Sequence, residues 1–224
     1  MPKLNLKHGH SFCMSPREAI ALQQDLRQRI SLCDRPGRPR IVAGADVGFD
    51  KHRGISRAAV VLLDYDDLTL LESARAECPT SFPYVPGLLS FREIPVILAA
   101  LERTRLMPDL IICDGHGLAH PRRFGLACHL GLLLDLPCIG VGKTRLIGRY
   151  AEPGREKGSS APLMDTQERI GTVLRTRTDV SPVFVSPGHA ISHETAVRRV
   201  MQCVTRYRLP QTTRLADRLA SHSA

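Results

Sequence analysis

The spacing of hydrophobic residues predicts a helix near the start of the chain. Ser15 and Glu18 have the spacing of a capping box, and Pro16 stands at the first helical position. Apolar residues then recur every three or four positions as far as Cys33. We expect this helix to run to about Cys33, because a loop rich in proline and glycine follows at residues 35–39.

Three short apolar segments follow and predict three β-strands. They cover residues 41–46, 57–64 and 68–76, are rich in Val, Leu or Ile, and are separated by turns that contain Gly or Asp. Strands that follow one another so closely pair with their neighbours, so the pattern predicts an antiparallel meander.

A second helix is predicted from Ser90, whose spacing to Glu93 is again that of a capping box. Apolar residues continue at helical spacing to Leu101. Pro95 lies inside this pattern and should bend the helix, because it removes a backbone hydrogen bond. The capping box also offers Glu93 a purely structural role.

The next part of the chain alternates strands with helices. Apolar runs at residues 109–114 and 137–141 flank a nearly all-apolar helical segment at residues 122–135. Buried strands joined by a helix pair in parallel, so we expect a parallel pair here. The remaining predicted elements are strands at 169–174 and 183–186, a loop at 152–162, and helices from Ser192 and from Thr213.

The order of these elements is that of the ribonuclease H-like fold. This α/β fold has a mixed sheet, in which an antiparallel meander continues into parallel strands, and helices flank the sheet. The order of elements alone is an analogy and does not identify a function. With 224 residues and neither a repeat nor a linker, the sequence predicts one domain over residues 1–224.

Charge adds a class of partner to this fold. Lys and Arg total 31 against 22 for Asp and Glu, which gives a net charge of +9. Such an excess favours a polyanion, with nucleic acid as the first candidate. Many soluble proteins are mildly basic, so the charge needs a site beside it before it indicates a substrate.

Cysteine usage and hydropathy indicate where the protein works. The seven cysteines form no C-x-x-C pair and several lie in apolar runs, which predicts small buried hydrophobic side chains. No apolar run reaches the roughly 18 residues that span a bilayer, and the N-terminal segment lacks the apolar core of a signal peptide. We expect a reduced, cytoplasmic monomer without membrane association.

Two acids stand where buried strands are predicted to end. Asp46 follows the first apolar run and Asp114 follows the run at 109–114. If those strands are neighbours, the carboxylates converge, and carboxylate oxygens are the ligands that Mg²⁺ prefers. Either residue alone could simply begin a turn, but the pair in a basic chain favours a metal site. Glu93 could add a third carboxylate, unless capping occupies it.

Polar residues are densest at residues 114–123. Two histidines four positions apart would suit zinc on a helix, but Gly117 and Pro121 favour a loop. Glycines there would let a ligand approach the backbone, and Arg122 and Arg123 could contact phosphate. The alternative is a solvated basic turn.

Two further residues are candidates for contacts with nucleic acid. Lys143 follows a predicted parallel strand, where open sheets bind ligands, so it could touch a phosphate; the alternative is a surface lysine. A P-loop is excluded because Pro137 stands where that motif needs glycine. Tyr84 lies between Pro83 and Pro86 in a stiff loop, where it could act as a wedge in place of an extruded base or could cover the core.

Together these segments resemble endonuclease V. The resemblance runs from about Ser15 to Leu219 and is carried by several motifs in order. They are AGADV at 43–47, PYVPG at 83–87, SFRE at 90–93, DGHGLAHPR at 114–122, IGVGK at 139–143, SPGH at 186–189 and YRLP at 207–210.

The resemblance implies a fold, a reaction and a set of site residues. Members of this family have a ribonuclease H-like fold. With Mg²⁺, for which Mn²⁺ is expected to substitute, they nick DNA at the second phosphodiester 3′ to deaminated bases, chiefly deoxyinosine, and leave 3′-hydroxyl and 5′-phosphate ends. By position, the resemblance implies Asp46, Glu93 and Asp114 as metal ligands, Lys143 as the catalytic-site lysine, Tyr84 with Pro83 and Pro86 as the wedge, and Gly87, Gly115, Gly117 and His120 around the lesion pocket.

Two positions and two other functions stay open. Asp217 stands where some members of the family have histidine, so it is either a fourth catalytic acid or a solvated helix residue. His189 lies either near the metal site or at a helix start. The alternatives for function are a nuclease of the same fold that acts mainly on inosine-containing RNA or branched DNA, and a non-catalytic lesion-binding protein.

Overall fold

The computed structural model describes residues 4–221, and its centre is a mixed β-sheet whose eight strands all lie within those residues. The strands are β1 (Ile41–Asp50), β2 (Ile55–Asp64), β3 (Leu70–Pro79), β4 (Leu110–Asp114), β5 (Cys138–Gly142), β6 (Ser160–Asp165), β7 (Glu168–Leu174) and β8 (Val183–His189). The helices are α1 (Pro16–Leu26), α2 (Leu89–Leu101), α3 (Leu126–Leu134), α4 (His193–Gln202) and α5 (Gln211–Ser221).

The sheet confirms the predicted ribonuclease H-like arrangement. Its strand order is β3-β2-β1-β4-β5-β8-β7-β6. Strands β1 to β3 form the antiparallel meander, and β1, β4 and β5 pair in parallel. Strands β8, β7 and β6 then extend the sheet with antiparallel pairs. The order therefore places β1 and β4, the two strands with candidate acids, side by side.

Helices cover both faces of the sheet. Neighbouring residues of a strand point to opposite faces, and β1 shows this directly. Ala43 packs in a core cluster with α2 and α3, whereas Val42 packs in a second cluster with α4. Helix α1 lies outside α3, where Leu26 contacts the cluster around Phe124 and Cys128. No helix within residues 4–221 has the length and apolarity to cross a membrane.

Several predicted boundaries were wrong for local reasons. Helix α1 ends at Leu26 and passes into a short 3₁₀ turn, well before Cys33. Helix α3 begins at Leu126, because Arg123 has a positive φ of 56° that no helix tolerates. Part of the predicted loop at 152–162 belongs to β6, an edge strand that accommodates Pro162 because an edge position needs no donor there.

The prediction of buried cysteines was only partly right. Four of the seven are buried, and all seven are free thiols. Cys78 is half-buried, and the two near the N-terminus, Cys13 and Cys33, are exposed. Those two lie in loops, outside any apolar run, so their neighbours do not carry them into the core.

Helix α5 approaches β1 at a position that only glycine permits. A Cβ atom on Gly44 would lie 2.2 Å from the carbonyl oxygen of Thr212, in the first turn of α5. The obstacle is backbone, so it cannot rotate away. This contact sets the position of α5 on the sheet, and α5 carries Asp217.

We predict that Gly44→Ala destabilises the fold by about 1–3 kcal/mol, because the added methyl group must displace α5. Urea unfolding measures this loss. Gly48→Ala is the matched control, since it lies on the same strand with nothing within 4 Å of an added Cβ. An equal loss in both variants would show that the close approach to α5 is not the cause.

Candidate active site

Asp46 and Asp114 lie next to each other at one end of the sheet. Strands β1 and β4 are parallel, and Ala45 is paired with Cys113. The next residue on each strand is an acid, so the two carboxylates share one edge. Burial and then repulsion from Asp114 raise the pKa of Asp46, as this register leads one to expect.

Glu93 joins these acids from α2. Its side chain is buried, with 8% of the residue exposed. Burial, followed by the charges of Asp46 and Asp114, raises its pKa to about 8, with a smaller opposing effect from Arg92. For Asp46, burial and then repulsion from Asp114 and Asp217 raise the pKa to about 6, against the attraction of Lys143.

The capping role expected for Glu93 is absent. Helix α2 has Leu88 at its N-cap and no side-chain cap. The hydroxyl of Ser90 instead hydrogen-bonds Nδ1 of His129, at 3.0 Å, and Ser90 is itself buried. The capping-box interpretation was therefore wrong, and Glu93 is available to the acid cluster.

Lys143 and Asp217 complete the group of charged side chains. Nζ of Lys143 lies 2.6 Å from Oδ2 of Asp114 and 3.9 Å from Oδ1 of Asp217. Burial lowers the pKa of this lysine, but the hydrogen bond with Asp114 and the charges of Asp114, Asp217 and Asp46 together raise it. Asp217 is therefore a neighbour of the site. It is also an exposed helix residue, because 53% of its side chain is exposed.

This cluster has the chemistry of a site for a hard divalent cation. Its four acids present only oxygen atoms, and burial together with repulsion between the carboxylates raises the pKa of both Asp46 and Glu93. Within residues 4–221, no three His, Cys, Asp or Glu side chains are arranged to enclose a metal by themselves. Mg²⁺ usually takes one or two protein carboxylates together with water and substrate phosphate, so the donors fit an ion shared with a substrate.

A cleft opens beside the acids. Its volume is about 230 Å³, and both Glu93 and Asp114 reach its wall. The lining also includes Tyr84, Pro86, Gly87, Gly115, His116, His120, Leu126 and Leu146.

Tyr84 projects from the loop between β3 and α2 into solvent. It is 71% exposed, so the alternative in which it covers the core is excluded. Phe82 and Leu88 are buried on either side and anchor the loop, while Pro83 and Pro86 are exposed. The loop therefore presents an aromatic ring on a stiff support at the rim of the cleft.

Gly117 was expected at the pocket, but it does not line the cleft. Its N–H donates to Oγ of Ser186, at 2.7 Å. A Cβ atom there would lie 2.2 Å from the carbonyl oxygen of Pro187. Gly117 is thus a packing glycine between the loop after β4 and strand β8, whereas Gly87, Gly115 and His120 do line the cleft.

Two wider grooves lie near the cleft. One, of about 870 Å³, includes Lys51 and Arg92 and shares Tyr84 with the cleft. The other, of about 720 Å³, includes Lys143 and Arg208. Both grooves therefore contain cationic side chains of the kind that contact phosphates, together with one acid each, Asp50 and Glu152.

Comparison with known proteins identifies the family. A model of the family Endonuclease V matches residues 24–218, which is most of the chain. The chain belongs to the endonuclease V family. Its relative from Nostoc punctiforme, named Endonuclease V, is 52% identical over 213 residues, which are 95% of this chain and 96% of that protein. Family membership indicates a nuclease.

Solved structures of the family share the fold. Endonuclease V from Streptomyces avermitilis has a TM-score of 0.90 at 46% identity, covering 94% of this chain and 93% of that one. The protein from Ciona intestinalis has a TM-score of 0.80 at 29% identity, covering 91% and 95%. The Ciona structure is a complex with a 24mer DNA that contains an inosine followed by a ribo-adenosine.

Other candidates from the sequence lie away from the acids. Nη2 of Arg123 pairs with Asp165 at 2.7 Å and its Nε with Glu168 at 2.6 Å, so this guanidinium is engaged within the protein. His189 is paired with Cys138 at the start of β5, at the opposite end of the strands from the acids, and its Nδ1 accepts a hydrogen bond from the N–H of Ser31. It is the last residue of β8, three residues before the N-cap of α4 at Ser192, and it does not belong to the acid cluster.

His116 is a site residue that the sequence analysis left without a role. It lines the cleft, and its ring packs so closely on β5 that a Cβ atom on Gly142 would lie 2.3 Å from Cε1. Its position in the polar segment at residues 114–123 was the sequence signal that could have identified it as a site residue. Leu89 and Leu146 also line the cleft and are exposed, but nothing in the sequence distinguishes them from core leucines.

We predict that Glu93→Gln changes how stability depends on pH in chelated buffer. The pKa of Glu93 is 4.5 without the fold and about 8 within it. Between these values the folded state holds the proton more tightly, so the stability of the wild type falls as pH rises. Glutamine cannot ionise, so the stability of the variant relative to the wild type increases as pH rises across this window.

Thermal or urea unfolding at several pH values measures the effect. Glu102→Gln, exposed at the end of the same helix, is the matched control and gives no such gain. Parallel profiles for the wild type and Glu93→Gln between pH 5 and 8 would contradict the raised pKa.

Proposed function

We propose that this chain is a Mg²⁺-dependent endonuclease that nicks DNA at the second phosphodiester 3′ to a deaminated base, chiefly deoxyinosine, leaving 3′-hydroxyl and 5′-phosphate ends. The observation that carries the proposal is the cluster of Asp46, Glu93 and Asp114 beside a cleft with the exposed ring of Tyr84 at its rim. The inosine-containing DNA held by the Ciona relative supports the choice of lesion.

The three acids have the role of metal ligands in this proposal. Asp46 and Asp114 would hold Mg²⁺, or Mn²⁺ in its place, and Glu93 would contribute the third carboxylate. When bound, the ion supplies Lewis acidity toward the scissile phosphodiester. The cation would also offset the effects of burial and mutual repulsion, which raise the pKa values of Asp46 and Glu93.

Lys143 has a complementary role toward the substrate. Its ammonium group is held beside Asp114 and stays charged, because the neighbouring acids raise its pKa. From this position it would donate to an oxygen of the phosphate that approaches the acids. Asp217 would act as a fourth acid that limits where Nζ of Lys143 can move.

The cleft has the role of receiving the deaminated base. A base inside a duplex is out of reach of the acids, so it must leave the stack, and its place must be filled. The ring of Tyr84 is exposed and would stack in the vacated position. Gly87 and Gly115 have no side chain, so their backbone groups can contact the edge of the extruded base.

We predict Mg²⁺-dependent nicking of a duplex that contains one deoxyinosine, read on a denaturing gel. Asp46→Asn and Asp114→Asn should abolish it, because each removes a ligand charge. Asp25→Asn makes the same change of charge on the exposed part of α1 and retains activity. Thermal unfolding with and without Mg²⁺ gives an independent readout, since a ligand that binds the folded state raises the midpoint.

Substrate comparison separates the alternatives. Deoxyinosine duplex, a duplex with a ribo-adenosine after the inosine, inosine-containing RNA and branched DNA are offered at equal concentration. A higher kcat/KM on RNA or branched DNA would replace the proposed substrate. A lesion-binding protein without catalysis would bind inosine DNA equally with or without Mg²⁺ and equally after Asp46→Asn.

We predict that Tyr84→Ala weakens binding and cleavage of the deoxyinosine duplex, while Tyr84→Phe keeps both. Stacking of a base on an aromatic ring is worth about 1–3 kcal/mol, and phenylalanine retains the ring. Thermal unfolding should be unchanged in both variants, because the side chain is exposed. Equal losses of binding and cleavage in Tyr84→Ala and Tyr84→Phe would assign the effect to the hydroxyl group and contradict the wedge role.

A further inference from the structure

The carbonyl oxygen of Gly87 accepts hydrogen bonds from three side chains. The donors are Nε2 of Gln23 at 3.1 Å, Nε2 of His120 at 3.1 Å and Nη2 of Arg122 at 2.6 Å. Gly87 ends the wedge loop, residues 83–87, with a positive φ of 78°. One peptide group at the rim of the cleft is thereby fixed from several sides.

The protonation of His120 is determined by its partners. Burial, followed by the charge of Arg122, lowers the pKa of His120 to about 4, so the ring is neutral. Its Nδ1 accepts a hydrogen bond from the backbone N–H of Arg122, at 3.2 Å. Nε2 must then carry the hydrogen and donate it to Gly87, which makes the contact directional.

Gln23 connects three parts of the chain. It lies on α1, is fully buried, and occupies the inward stripe of the helix with Ala19 and Leu26. Its Nε2 also donates to the carbonyl oxygen of Phe124, at 3.1 Å, and its Oε1 accepts from Nε of Arg122, at 2.5 Å. A polar residue on an apolar stripe costs free energy unless it is bonded, and here each polar atom of the amide has a partner.

These bonds join the two walls of the cleft. The wedge loop forms one wall, and residues 115–125, the loop after β4, form the other. Gln23 and Arg122 bridge them, since Arg122 belongs to the second wall and donates to Gly87 on the first. Glycine at position 87 permits this close approach, because a Cβ atom there would lie 2.6 Å from Nη2 of Arg122.

We propose that Gln23 and Arg122 are positioning residues that set the separation of the two walls and thereby determine selectivity for the deaminated base. The inference rests on the proposed function. It assigns Arg122 a different task from the phosphate contact that its charge suggests: two of the guanidinium nitrogens, Nε and Nη2, are engaged within the cleft wall. A displacement of the walls by about 1 Å is enough to cost on the order of a hundredfold in rate.

The test uses three variants and one control. Gln23→Met keeps the length of the side chain and removes the bonds. Arg122→Lys keeps the charge and removes the planar fork, whereas Arg122→Gln removes both. Gln24→Met is the control, because it makes the same change at the exposed neighbouring position of α1.

We expect Gln23→Met and Arg122→Lys to lower kcat/KM on the deoxyinosine duplex by about 10- to 100-fold. The ratio of that value to nicking of undamaged duplex should fall as well. The dependence of binding on salt concentration should stay that of the wild type, since no phosphate contact is lost. Hydrogen exchange in the wedge loop should become faster in both variants and remain unchanged in Gln24→Met.

Other outcomes overturn the proposal. Wild-type activity in Arg122→Lys, with a salt slope reduced by about 0.9 in Arg122→Gln, would make Arg122 a phosphate contact. Faster hydrogen exchange in Gln23→Met and Arg122→Lys with unchanged selectivity would show that the hydrogen bonds at Gly87 have only a structural role. If the wild type fails to nick deoxyinosine DNA, the proposed function fails, and that result is distinct from wild-type nicking with unaffected variants.

Discussion

Parallel pairing of β1 with β4 forces two carboxylates to share one end of the sheet. The register brings Asp46 beside Asp114, and the fold then adds Glu93 from α2 on one side and Asp217 from α5 on the other. Neighbouring like charges repel each other, so the site costs free energy of folding that the rest of the fold must offset. Packing of the helices on both faces of the sheet offsets this cost. The ion pair of Lys143 with Asp114 offsets part of the repulsion.

The same end of the sheet also has to hold a cleft open. Glycines at positions 117 and 142 let the backbone of β8 and the ring of His116 pack closely in the wall that the loop after β4 forms. The opposite wall is the wedge loop, anchored by Phe82 and Leu88. These buried anchors and the hydrogen bonds at Gly87 hold the backbone of the loop in place, while the ring of Tyr84 stays exposed.

The sequence alone predicted the meander, the parallel strands and the convergence of Asp46 with Asp114, because apolar runs that end in an acid are visible in one dimension. It predicted the wrong partner for Ser90, since capping-box spacing is local, whereas the hydrogen bond to His129 is made across the fold. Strand β6 was missed because Pro162 is tolerated only at an edge, and edges are defined by the assembled sheet.

Gln23 shows what sequence patterns do and do not contain. A glutamine on the inward stripe of α1 is a visible anomaly, and it implies a buried partner. The identity of that partner is not visible, because Gly87 lies 64 residues away and Phe124 lies 101 residues away. Glycine offers no side chain that could be matched with an amide, so the contact is made to its carbonyl. In the proposed arrangement selectivity depends on backbone positions, and Gln23, one of the residues that fix them, lies outside the motifs that identify the chemistry.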